Sequence, residues 1–182
     1  MIVQVKNKSW EYQRTSRPYT VNHHQSSGPH EVESASDYDY AIIVNGSRDY
    51  NNYDDFSTIM DSWMEERQDK FVHAKIIFIS GKARNGADNM VIRWCVDHSY
   101  PWIEMPADWE KHGNSAGMIR NIDMAVVAAT SRIKGMLVSF WDAKSRGTRQ
   151  MISTAYKHEL DVSVFLITPD PVEADQFALD SL

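Results

Sequence analysis

The chain has almost nothing with which to cross-link itself: one cysteine, Cys95, in 182 residues. A lone thiol excludes an intrachain disulfide and fits a reducing compartment. Cys95 falls within an apolar helical pattern, the setting of a buried structural thiol rather than a nucleophile. Long apolar runs are missing too. No stretch approaches the roughly 20 residues of a membrane span, and the N-terminus lacks the apolar core of a signal peptide, so a cytoplasmic protein without a membrane partner is expected. Positive charge is in deficit, with 19 Lys and Arg against 25 Asp and Glu and a formal net charge of −6. That balance argues against nucleic acid as a partner, because a backbone binder needs a basic face. It leaves room for a small anionic ligand, since a few arginines in a cleft set the local field. Neither the P-loop nor the G-x-G-x-x-G fingerprint is present, which speaks against dinucleotide binding of the usual kind. His23, His24 and His30 invite a metal reading, but no matching cysteine or carboxylate set accompanies them, so neither metal nor cofactor is expected.

What the chain does have is an ordinary globular composition, 42% hydrophobic and 24% charged, and length enough for one domain with an appendage. Ile2-Val3-Gln4-Val5 alternates weakly, and the polar stretch from Ser16 to Asp37 has no period. Residues 1–37 therefore read as an N-terminal extension or arm, open to oligomer contacts. From Tyr40 onward short apolar runs alternate with amphipathic helices. The strands are Ala41–Val44, Ile76–Ile79, Trp102–Met105, Gly135–Phe140 and Val162–Ile167, the last stopped by Pro169 and Pro171. Between them, Phe56, Ile59, Met60, Trp63 and Met64 have helical spacing, as do Val91, Trp94, Cys95 and His98. A helix from about Ala116 to Ser131 and one carrying Thr148, Met151, Ile152, Ala155 and Tyr156 complete the set. Continuous apolar strands between such helices predict an α/β domain over 38–170: a Rossmann-like three-layer sandwich on a mostly parallel sheet of about five strands. Residues 171–182 are left as a C-terminal tail.

The densest chemistry lies in Pro106-Ala107-Asp108-Trp109 followed by Asn114-Ser115-Ala116-Gly117-Met118-Ile119-Arg120-Asn121. It sets a carboxylate and an indole on a loop, then small residues, then a cation near a helix start that Ser115 can cap. Unpaired N–H groups there favour an anion, so Asp108, Trp109 and Arg120 make a pocket for a phosphorylated, base-bearing molecule. The alternative is structural: Arg120 pairs with a nearby carboxylate and Trp109 plugs the core.

Three further loops follow strands and converge on the same edge, where ligands of parallel sheets bind. Gly46, Ser47 and Arg48 offer N–H groups, a hydroxyl and a guanidinium. Gly81, Ala83, Gly86 and Ala87 let backbone approach a ligand, with Arg84 able to grip an anion. Asp88 either accepts from ribose hydroxyls or favours the start of its helix. Ser145, Gly147 and Thr148 can meet phosphate at another helix start. Ala125, Ala128 and Ala129 suit either core packing or a symmetry mate.

In order, Asn45-Gly46-Ser47-Arg48, Gly81-Lys82-Ala83-Arg84-Asn85-Gly86-Ala87-Asp88, Pro106-Ala107-Asp108-Trp109, Ala116-Gly117-Met118-Ile119-Arg120-Asn121 with Met124, and Gly147-Thr148 resemble the YspA-like branch of the SLOG superfamily. Its members are common in bacteria and bacteriophages, and its relatives include the Lonely Guy phosphoribohydrolases and DprA. The resemblance covers roughly Tyr40 to Ile167. It implies a Rossmann-like fold that binds nucleotides or nucleotide-derived molecules, a homodimer or higher homo-oligomer, and host cytoplasm if the chain is phage-encoded. In the Lonely Guy enzymes an arginine at an R-K-x-x-M helix start and a glutamate in G-G-x-G-T-x-x-E act on an N-glycosidic bond. Arg120 and Met124 match the first pattern, with Asn121 in place of lysine. The second is broken, because Met151 stands where the glutamate belongs and can neither activate water nor stabilise an oxocarbenium-like centre. The expectation is thus a nucleotide sensor or sequestering protein for an ADP-ribose- or NAD-like molecule or a nucleoside phosphate. The alternative is an N-glycosidic hydrolase in which Arg120 holds phosphate and Asp108 replaces the glutamate. DprA-like binding of single-stranded DNA lacks the basic, aromatic-interleaved stripe it would need.

Overall fold

The structure is a computed structural model that describes residue 19, residues 21–23 and residues 34–167. Its centre is β2 (Tyr40–Gly46), whose apolar residues are buried from both sides. Alternation sends Ile42 and Val44 to one face of the sheet and Ala41 and Ile43 to the other. The remaining strands are β1 (Val21–Asn22), β3 (Ile76–Ser80), β4 (Trp102–Glu104), β5 (Lys134–Trp141) and β6 (Asp161–Leu166). They form one six-stranded sheet in the order β1-β4-β3-β2-β5-β6. Strands β2 to β6 are parallel, and β1 alone runs antiparallel, on β4.

The helices are α1 (Tyr53–Glu65), α2 (Gln68–Phe71), α3 (Ala87–His98), α4 (Trp109–His112), α5 (Ala116–Ala128) and α6 (Arg146–Lys157). On one face, Phe56, Met60 and Trp63 of α1 and Val91, Trp94 and Cys95 of α3 pack on Ile42, Val44, Phe78 and Val138. On the other, Met124, Ala125 and Ala128 of α5 and Met151 and Ala155 of α6 pack on Ala41, Ile43, Ile77 and Leu137. The α/β expectation holds, with a mixed sheet of six strands rather than about five. The additional strand comes from the stretch read as an N-terminal extension or arm. Val21 and Asn22 pair with Ile103 and Trp102, and Ala35, in a short 3-10 turn (Ala35–Asp37), is fully buried. A two-residue strand has no period to detect, which is why it was invisible.

Ser115 does not cap α5. The 3-10 turn (Gly113–Ser115) that follows α4 runs directly into α5, so Ser115 has helical dihedrals and its hydroxyl makes no cap. Asp108 is the working cap, accepting from the N–H of Lys111 at 3.0 Å. Ala125 and Ala128 are core residues and Ala129 is exposed. Burial pushes the Cys95 thiol far up, as suits a structural residue. Ile2–Val5, His24, His30, Pro169 and Pro171 lie outside the described residues. Among the described residues no helix is long and apolar enough to cross a membrane.

Candidate functional site

Because β2 to β5 are parallel, the loops after them all leave from one edge of the sheet. The strand order reverses between β2 and β5, and open α/β sheets bind ligands beyond the strand ends near such a reversal. Most of the glycine-bearing sequence there is occupied by the protein itself. Ser47 is buried; its N–H donates to Phe140 O at 2.9 Å, and its hydroxyl accepts from the N–H of Asp142 at 3.1 Å. Gly86 has φ +82° and its N–H donates to Asn51 Oδ1 at 3.1 Å. Arg48 and Arg84 are exposed and take no side-chain partner among the described residues, while Ala83 is half-buried.

The centre of this edge is a junction over the end of β3. Arg120 reaches from α5 across the sheet top, donating to Gly81 O and, through Nε, to Asn121 Oδ1 at 2.9 Å. Its Nη1 lies 3.6 Å from Oδ1 of Asp88, which sits in the first turn of α3 on the opposite layer. This crossing requires glycine at position 81, where an added Cβ would overlap the guanidinium and lie 2.6 Å from Asp88 Oδ1. Burial raises the Asp88 carboxyl above its usual range, against the opposing pull of Arg120 and the N–H groups of Gly46 and Gly81. Asn121 extends the network, donating to Gln150 Oε1 at 2.6 Å, and Gln150 donates to Thr154 Oγ1 at 2.8 Å. Arg120 thus pairs with the Asp88 carboxylate, which stands at the start of α3, while also lining the pocket described below.

The loop from β5 to α6 is likewise closed on itself. The Asp142 carboxylate accepts from the N–H groups of Ser145 and Lys144 at 2.7 and 2.9 Å. Ser145 Oγ accepts from the N–H and the hydroxyl of Thr148 at 3.3 and 2.9 Å. Ser145 and Thr148 thus satisfy each other, beside a carboxylate that disfavours phosphate, and only Gly147 of the three stands exposed. Burial pushes the Asp142 carboxyl up, but the hydrogen bonds from Ser145, Lys144 and Ser47 outweigh it and hold it below the usual range. Met151 is wholly buried in the core. Just beneath, Asn45 and Ser139 are register partners on β2 and β5, and Oδ1 of the one and Oγ of the other are buried without a hydrogen-bond partner among the described residues.

Open space lies farther along the edge, past β4. A pocket of about 410 Å³ is bounded by Glu104, Met105, Pro106 and Ala107 at the strand end and Asp108 at the α4 cap. Arg120 and Asp123 of α5 and Tyr19 of the N-terminal segment close it. This volume suits a small organic ligand. Glu104 is ion-paired with Lys82 and accepts from Trp102 Nε1 at 3.1 Å. Burial raises its carboxyl, and the bonds from Lys82 and Trp102 more than offset that, leaving it below the usual range. Three carboxylates face one guanidinium that is turned towards Gly81, so the walls accept hydrogen bonds more than they attract phosphate. Trp109 is neither core plug nor pocket wall: it is 53% exposed, with its ring over Gly117.

Asp108 and Arg120 are brought together at this pocket, whereas none of the glycine-loop residues is in its lining. Sequence reading missed Tyr19, Glu104, Asp123 and Gln150. Asp123 was findable, because three residues beyond Arg120 it shares that helical face. Tyr19 was not, since its stretch has no period.

The chain is similar to the gene 61 protein of Mycobacterium phage D29, with 29% identity over 132 residues that cover 68% of this chain and 94% of that protein. No family model matches the sequence. No solved structure matches it either.

Proposed function

We propose that this chain is a Rossmann-like nucleotide-binding protein, akin to the YspA-like branch of the SLOG superfamily, acting as a sensor or sequestering protein. Its ligand is a nucleotide or nucleotide-derived molecule: a nucleoside phosphate or an ADP-ribose- or NAD-like compound. The observation that carries this reading is the 410 Å³ pocket beyond β4, walled by Asp108, Arg120 and two further carboxylates. The base and ribose offer amino and hydroxyl donors to Glu104, Asp108 and Asp123. The phosphates lie outward, in the field of the exposed Arg48 and Arg84. A phage relative agrees with the phage setting that the resemblance implies.

Binding without turnover follows from two groups. Met151 is sealed in the core, and Asp108 already accepts the N–H of Lys111 as a helix cap. The test is incubation with nucleoside monophosphates, NAD, ADP-ribose and cyclic nucleotides, read by thermal shift and mass spectrometry together. A shift with the ligand recovered intact is expected. Release of free base, lost in Asp108→Ala, would make the protein an N-glycosidic hydrolase instead. No shift with any compound would remove the nucleotide assignment.

A further inference from the structure

Strand β1 does more than cover the β4 edge. Val21 lies opposite Ile103 and Asn22 opposite Trp102. Tyr19, two residues before Val21, packs against the core cluster that contains Met105, and both Tyr19 and Met105 line the pocket. The ring is held there from its far end. The Tyr19 hydroxyl accepts from the N–H of Ala35 at 3.2 Å and shares a hydrogen bond with Ser34 Oγ at 3.2 Å. Those two partners are themselves fixed: Ser34 and Asp37 form a capping box, and Ala35 is fully buried in the core.

Among the residues lining this pocket Tyr19 is the aromatic one, and Trp109 is not a lining residue. We infer that Tyr19 is the stacking platform for the base, so that the N-terminal segment supplies a wall of the binding site. This inference rests on the nucleotide reading and sharpens it. A tyrosine ring in one lining with Asp108 and Asp123 selects a purine that carries donors, because its larger ring system stacks better and its exocyclic amine and the ribose hydroxyls can meet the carboxylates. The anchored hydroxyl means that little side-chain freedom remains to be lost when the base arrives.

The experiment uses the full chain. Affinities for AMP, GMP, CMP and ADP-ribose are measured by calorimetry for the wild type, Tyr19→Leu, Tyr19→Phe and Trp109→Leu. Photolabelling of the wild type with 8-azidoadenosine 5′-monophosphate, followed by peptide mapping, reports the contact directly even where a variant fails to hold its strand. The expected result is that Tyr19→Leu weakens purine ligands by about 10-fold or more and narrows the purine-to-pyrimidine ratio. Tyr19→Phe keeps that ratio, and the label falls on the peptide containing Tyr19. Unchanged affinity in Tyr19→Leu overturns the inference and leaves the nucleotide reading standing. So does an equal loss confined to Trp109→Leu. Failure of every nucleotide to bind the wild type removes the nucleotide reading, and this inference with it.

Discussion

Over the ends of β2 and β3 the protein is filled by its own side chains, while past the end of β4 it is open. In the first region Gly81, Asp88, Arg120 and Asn121 interlock across both helix layers. In the second, five wall residues come from one continuous stretch, Glu104 to Asp108, and leave a space of about 410 Å³. Both regions contain aspartate, and Arg120 belongs to both. The difference teaches that a guanidinium beside a glycine loop is as good a brace as it is an anion site. Which role it takes depends on whether a carboxylate from another layer reaches it first.

The largest expected effect comes from breaking the dense side. In Gly81→Ala the new methyl group displaces the Arg120 guanidinium and leaves Asp88 buried without its cation. Stability should fall by about 3 kcal/mol, read from urea midpoints, since removing one partner of a buried pair strands the other. Native-state labelling of Cys95, fully buried in the intact protein, would show whether the loss also loosens the α3 layer.

Next is a pH effect at Asp88. Its folded carboxyl lies above the ordinary value of 3.8. Between those two values the native state binds more protons than the unfolded chain, so stability falls as pH rises through that window. Urea midpoints of the wild type measured against Asp88→Asn should therefore decline from about pH 4 upward. A flat difference would mean that Arg120 fully compensates the charge.

A smaller effect, of opposite slope, is expected at Asp142. Its folded carboxyl lies below the usual range, so its contribution is present above the unfolded value and is lost as pH falls through the folded one. Asp142→Asn should cost about 1 kcal/mol at neutral pH, through weaker acceptance from Lys144 and Ser145, and the gap should close in acid. Two aspartates on one sheet edge, with opposite pH slopes, would separate the desolvated junction from the solvated loop.

The smallest effect is on the open side. Trp109→Ala, at a side chain 53% exposed, should change stability by no more than about 0.5 kcal/mol in thermal melts. A larger loss would mean that the indole braces the pocket mouth through Gly117.

Periodicity made the sheet and its helices legible. The runs at β2, β3 and β5 are apolar on both faces because both faces are covered, and Phe56, Met60 and Trp63 repeat at the helical interval because one side of α1 meets the sheet. The site was half legible. Asp108 and Arg120 stood out as charged groups beside small residues, and their stretch does border the pocket. The direction of Arg120 was not legible, because its choice between ligand and Asp88 depends on a side chain 32 residues away in the chain, brought close only by α3 lying over β3.

By itself, then, the sequence determined the five parallel strands and the four long helices, and that the chemistry-bearing loops share one edge, because apolar runs and helical spacing are local properties. Tertiary structure alone decided that Ser145 and Thr148 satisfy each other and that Arg120 braces Gly81 and Asp88. It alone brought Tyr19 to the pocket. Those outcomes depend on distances between residues far apart in the chain, and no local pattern encodes a distance.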